Sequence, residues 1–319
     1  MVSDAAIGLV YARNFPASEV VPFVRAAEAA GFDDLWVIED CFFTTAPVLA
    51  AAALAATDRL TVGVGIMPAA VRNAAITAME FATLAGLAPG RVIAGLGHGV
   101  YEWMQQIGHS TPSQLGRLDE VASAVHRLLN GETVSVDGPH VQLDAVRLDT
   151  LPPVVPPLLL GVRGPKSLQL AGRVADGIVL AELAGPTYVR WSREQAGGNP
   201  MTAVYTSVHL DHDRMAARRW VAPFLVEMLA EPNIALRTAP GLDAAVAAAA
   251  EGEEAVVHLP DAWWREVAAV GDPDDVAAHV ADLVEAGVDR VALLPSPELD
   301  VSRAQLERLT ALLPRLRNR

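Results

Sequence analysis

Apolar and polar positions along this chain fall into blocks whose period changes repeatedly. Short, nearly continuous apolar runs give way to stretches in which apolar residues recur at helical spacing. The runs "AAIGLVY" (5–11), "DDLWVI" (33–38), "RLTVGVGI" (59–66) and "RVIAGLG" (91–97) read as strands. So do "PPLLLG" (156–161), "DGIVLAE" (176–182), "AVYTSVHLD" (203–211) and "VDRVALLP" (288–295). Helical spacing occupies 17–31, closed by Gly31 as a C-cap, then 47–56, 73–87, 113–130, 165–174, 274–287 and 301–316. Several strands are continuous rather than alternating, the pattern of parallel strands covered on both faces. This order predicts an α/β chain folded as a (β/α)8 TIM barrel. A doubly wound sheet would need a glycine-rich turn after its first strand, and "VYARNFPAS" has none.

Two stretches exceed the barrel. Residues 133–146 read as a β-hairpin turning at Asp137-Gly138. Residues 213–270, with the alanine-rich "LDAAVAAAAEGEEA" (242–255), read as a helical insertion between strands seven and eight. That placement puts it at the strand C-terminal mouth, in position to act as a lid. One domain spans 1–319.

Composition narrows the class. Hydrophobic residues make up 52% of the chain, which excludes disorder. No window approaches the roughly 18–20 uncharged apolar residues of a membrane span; the richest, 44–57, is short and reads as a buried helix. The N-terminal "MVSDAAIGLVYARN" has an acid and no basic region before its apolar run, so no signal peptide is expected. Cys41 is the only cysteine, which rules out an internal disulfide and multi-cysteine metal sites, and the expected location is cytoplasmic. A net charge of −14 argues against nucleic acid as a partner.

A barrel directs attention to residues just past each strand. "GVRGPKSL" (161–168) sets Gly164-Pro165 at a helix start, where unpaired N–H groups and the positive dipole end favour an anion, with Arg163 and Lys166 nearby. An ordinary strand-to-helix turn is the plain alternative. "GLGHG" offers a weaker version: Gly97 and Gly99 permit close backbone approach, and His98 is either a pocket-lining, catalytic group or a structural hydrogen-bonding one. No HxH or HExxH partner supports metal binding by His98. Glu39 and Asp40 follow strand two; a buried carboxyl there is a candidate proton donor or acceptor, and alternation turns only one toward the pocket. Cys41 reads as a packed side chain rather than a nucleophile.

"GFDDLWVIED", "LTVGVGIMPAAVRNAAITAMEFATLAGLAPGRVIAGLGHG", "LLLGVRGPKSLQLAGRVADGIVLAE" and "GVDRVALLP" together resemble the bacterial luciferase-like superfamily. Within it the chain is most similar to coenzyme F420-dependent oxidoreductases. The resemblance implies a barrel that binds a flavin or 5-deazaflavin at its mouth, usually in a homodimer, and passes hydride to or from a small organic substrate. It implies that Gly65, Ile66 and Met67 lie against the ring, with a non-prolyl cis peptide at Val64–Gly65 or Gly65–Ile66. It gives Asp40 the place of the family's acid near ring or substrate. It gives Gly97, His98 and Gly99, with Val162, Arg163, Gly164 and Pro165, the cofactor's tail and phosphate. The chain departs from the family at Cys41, where a His is usual, and at Val10 and Val100, where acids are common. The cofactor expectation is F420, with FMN in an O2-activating monooxygenase as the alternative and a non-catalytic flavin-binding protein as a second alternative.

Overall fold

In the computed structural model, which describes residues 5–317, every expected apolar run becomes a parallel strand. The strands are β1 (Ala6–Tyr11), β2 (Asp34–Val37), β3 (Thr61–Val64), β4 (Val92–Gly97), β5 (Leu158–Gly161), β6 (Gly177–Leu180), β7 (Met201–Leu210) and β8 (Arg290–Leu294). Each pairs with its chain neighbours, and β8 returns to β1 with Leu9 opposite Leu293, so the sheet closes on itself. Residues 1–4, part of the stretch read for a signal peptide, lie outside the described residues.

One long helix follows each strand: α1 (Val20–Ala30), α2 (Ala46–Ala55), α3 (Ala74–Leu87), α4 (Gln114–Leu129), α5 (Pro165–Val174), α6 (Pro186–Ala196), α7 (Pro273–Glu285) and α8 (Leu299–Arg317). Local chemistry sets several ends. Gly31 stops α1 in the left-handed region at φ 94°. Asn73 caps α3 through the Ala75 N–H, and Asp272 with Asp275 forms a reciprocal capping box on α7.

Inward-facing Val10, Trp36, Ile93, Leu159, Val179, Ala203, Tyr205 and Ala292 fill the barrel. Trp36 needs Gly63 beside it, since a Cβ there would stand 2.4 Å from the indole. Its indole meets the Tyr205 ring edge-on at 5.6 Å. At the N-terminal end the buried Asp34 is bound by Arg290 at 2.6 Å; desolvation raises its pKa against that pairing. The outer core lies between strands and helices.

Four differences from the sequence expectation have physical causes. Helix α6 was unforeseen because its buried face (Tyr188, Val189, Ser192) is interleaved with charge. The 133–146 hairpin forms, yet its turn is the longer loop 138–141: the Gly138 N–H donates to Val141, and Glu120 on α4 accepts from the His140 and Val141 N–H groups. The 213–270 insertion holds helices Arg214–Ala230, Ile234–Thr238, Leu242–Glu251, Glu253–Val257 and Asp261–Val267, but ends in a strand, Ala269–Gly271, paired to the far end of β7. It carries its own core, including Leu225, Leu236 and Trp264, into which the barrel contributes Leu183. Helix α2, read as buried, buries one face only; Val48 is 68% exposed. Among the described residues no helix is long and apolar enough to cross a membrane.

Candidate functional site at the barrel mouth

Past β2 the chain alternates, and this separates the two adjacent carboxylates. Glu39 turns outward and is buried: its oxygens accept from both Arg72 Nη atoms and from the Ala46 N–H at the start of α2. That engagement uses the carboxylate to fix the loop. Asp40 turns the other way and pairs with Arg13, past β1, at 2.6 Å. Cys41 is half-buried, and burial followed by the Glu39 and Asp40 charges pushes its thiol pKa up, away from a nucleophilic thiolate.

The segment after β3 is shaped by what packs around it. The Gly65–Ile66 peptide is cis, at one of the two bonds the resemblance allowed. Tyr205 donates its hydroxyl to the Gly65 carbonyl at 3.1 Å, in the buried interior. Ile66 lies against Gly95, Gly97 and Gly161: a Cβ on Gly97 would be 2.8 Å from Ile66 Cδ1, and one on Gly161 2.6 Å from its Cγ2. Gly97, expected to admit a ligand, therefore admits an isoleucine, as does Gly161. Met67 is buried, in a short strand beside the end of β4, and Val162 is buried as well, so both offer a ligand their backbone only. Gly99 adopts φ 74°, which favours glycine, and sits against Pro68 and Met104.

The two glycine-framed loops meet. His98 Nε2 lies 3.0 Å from Ser167 Oγ in the first turn of α5, tying "GLGHG" to "GVRGPKSL". Burial lowers the His98 pKa against a Gln114 backbone hydrogen bond, so the ring is neutral at pH 7. Pro165 occupies the first turn of α5, and no side chain caps that helix. A Cβ built on Gly164 meets nothing within 4 Å, so this helix start faces open space. The Arg163 carbonyl beside it is held by the Tyr188 hydroxyl at 2.6 Å.

Arg13, Phe43, Trp103 and Tyr205 were not among the residues singled out as site candidates. The Arg13 guanidinium lies 4.9 Å from the Phe43 ring centroid and 5.8 Å from that of Trp103. Arg13 follows the first apolar run in the sequence, but nothing there joins it to Trp103. Tyr205 reads as one more inward strand residue. Its pKa is raised well above the usual tyrosine value, first by burial and then by the Glu182 and Asp40 charges, so it stays a hydroxyl donor.

A closed barrel with this mouth is the architecture of a known enzyme class. Residues 3–290 match the luciferase-like monooxygenase family, and the chain belongs to that family. Among its relatives is the 5,10-methylenetetrahydromethanopterin reductase of Methanolobus tindarius, 27% identical over 308 residues that span 89% of this chain and 92% of the relative. An F420-dependent secondary alcohol dehydrogenase, solved with an F420-acetone adduct, shares the fold with TM-score 0.74 at 22% identity, over 99% of this chain and 100% of the other. The FMN-bound oxygenating component of 3,6-diketocamphane monooxygenase from Pseudomonas putida superposes with TM-score 0.78 at 16% identity, over 98% of each.

Proposed function

We propose that this protein is an F420-dependent oxidoreductase that moves a hydride between the deazaflavin and a small organic substrate at the barrel mouth. The observation that carries the reading is the built cradle: an uncapped helix start at Gly164 opening onto free space, tied through Ser167 to His98. Those features fit a cofactor with an anionic tail. The backbone N–H groups at Gly164, Pro165's preset turn and Arg163 would hold its phosphate. Gly97, His98 and Gly99 would form the facing wall, and Gly65, Ile66 and Met67 the surface against the ring. When bound, the deazaflavin supplies or accepts the hydride.

The chain's own residues then orient and handle protons. Tyr205 fixes the Gly65 carbonyl, and the three glycines fix Ile66, so that surface is set before anything binds. Asp40, with 29% of its side chain exposed, is the carboxylate available to exchange a proton with substrate; Glu39 anchors the loop. His98, neutral and joined to Ser167, orients the cradle. A relative named as an F420-dependent glucose-6-phosphate dehydrogenase, from Nakamurella multipartita and 29% identical over 189 residues that span 55% of this chain and 56% of the relative, favours F420 over FMN.

We place the working unit as a cytoplasmic homodimer. A lone cysteine suits a reducing compartment. Helices α2 and α3 are apolar on their outer faces too, exposing Val48, Ile76, Met79 and Leu87, a surface suited to a second copy.

The test is a fluorescence titration of the purified chain with F420 and with FMN. F420 binds saturably and more tightly than FMN; tighter binding of FMN overturns the reading. Gly164→Val weakens F420 about tenfold or more, because the side chain enters the space where the phosphate approaches, while the melting curve is unchanged. Asp40→Asn retains F420 binding and loses turnover.

A further inference from the structure

Arg13 crosses the mouth. It follows β1, whereas Trp103 lies in the short helix Tyr101–Gln106 that follows β4, and β2 and β3 stand between them in the sheet. Contact of its guanidinium with Trp103 therefore draws a chord over the ends of β2 and β3, the strand that leads into Gly65 and Ile66. Phe43, past β2, supports the same group from a second side. The rings hold it through their faces and use none of its N–H donors. Among the described residues Arg13 donates only from Nη1, to Asp40 Oδ2, which leaves most of a five-donor fork unused.

The pair is also exchangeable. Arg13 has 46% of its side chain exposed and Asp40 29%, and an ion pair so open to water is weak. Arg72, past β3, makes the contrast: at 18% exposure it is locked between Glu39 and Glu80. A half-exposed guanidinium flanked by two rings and with spare donors suits bidentate capture of a planar or tetrahedral anion.

We propose that Arg13 is the recognition group for a carboxylate or phosphate at the mouth, taken in exchange for Asp40. The exchange ties two events together: the anion seats on Arg13, and the Asp40 carboxylate is released toward the reacting end of the substrate. This rests on the reading of the mouth as the reaction site, and it narrows the ligand to one bearing an anionic group. That group belongs either to the substrate or to the cofactor's tail.

The experiment is a titration of the full chain with inorganic phosphate and with acetate, following tryptophan emission at ionic strength held constant with chloride. Wild type gives a saturable change that Trp103→Phe removes, since Trp103 is the ring touching Arg13. Arg13→Gln raises the apparent Kd about tenfold or more, the loss expected for charge-assisted hydrogen bonds, and Arg13→Lys falls between. Gly164→Val leaves this response in place. No saturable change in wild type, or equal curves for wild type and Arg13→Gln, overturns the proposal. A response abolished by Gly164→Val and untouched by Arg13→Gln does so too. Parallel titrations with F420 and with its tail-less chromophore identify the source of the anion. If Arg13→Gln weakens F420 alone, the anion is the cofactor's tail; if neither changes, it is a group of the substrate. Failure of wild type to bind F420 overturns the proposed function, while the phosphate and acetate curves still decide the role of Arg13.

Discussion

Ile66 is held by absence: three glycines, from two strands, leave the hollow it fills. Gly95 also lies against backbone, where a Cβ would stand 1.9 Å from the Val64 carbonyl oxygen. Gly95→Ala is expected to lower unfolding stability by about 1–3 kcal/mol in urea denaturation, because carbonyl and strand cannot both stay in place. Gly164→Ala, whose Cβ meets nothing, is the matched control and is expected to leave stability unchanged. In the sequence Gly97, Gly99 and Gly164 read alike, as openings for a ligand. Which of them face a ligand and which face Ile66 depends on the direction of a Cβ vector, and that direction exists only in the folded chain.

The packing of α7 on β7 writes a pH dependence into the barrel. His279, fully buried on α7, lies 2.9 Å from Thr206 on β7 and 2.7 Å from the Arg265 carbonyl. His209, also on β7, stacks on Trp220 of the insertion at 5.2 Å. Burial lowers both pKa values from 6.5 to about 4; the Arg308 charge adds to this at His209, against Asp211, and the Arg265 hydrogen bond opposes it at His279. Between those values the unfolded chain binds protons that the folded chain refuses. Stability therefore falls as pH drops from about 6.5 toward 4, on the order of 1 kcal/mol per pH unit for each histidine, and levels off below. Denaturant midpoints taken at intervals from pH 7.5 to 4 check this, and His279→Gln should flatten the slope. Element positions were well legible here, since apolar runs and caps such as Asn73 and Gly31 act locally. Helix α6 and the strand Ala269–Gly271 were not, because a mixed polar face and a three-residue strand leave no periodic trace.

At the scale of the whole molecule, the outer surface of α2 and α3 is the unusual feature. Val48 and Leu87 are 68% and 60% exposed, on helices whose outer faces are largely apolar. In the proposed homodimer a second copy covers this surface, and Val48→Glu with Met79→Glu is expected to shift the protein to monomer in sedimentation velocity, with the circular dichroism spectrum retained. The apolar character of these helices was plain in the sequence; that half of it points outward was not, since both faces read the same. The barrel was legible for a related reason: the alternation of continuous apolar runs with helical spacing is a property of the chain itself and admits few closed architectures. The chain by itself thus determined the strand order, the barrel, and two glycine-framed loops at one end of it. Only the tertiary structure decided the partners: Glu39 with Arg72, Asp40 with Arg13, His98 with Ser167, Tyr205 with Gly65. Periodicity records which face a residue takes along its own strand, while these pairs join loops from different strands, and their meeting is fixed by how the barrel closes.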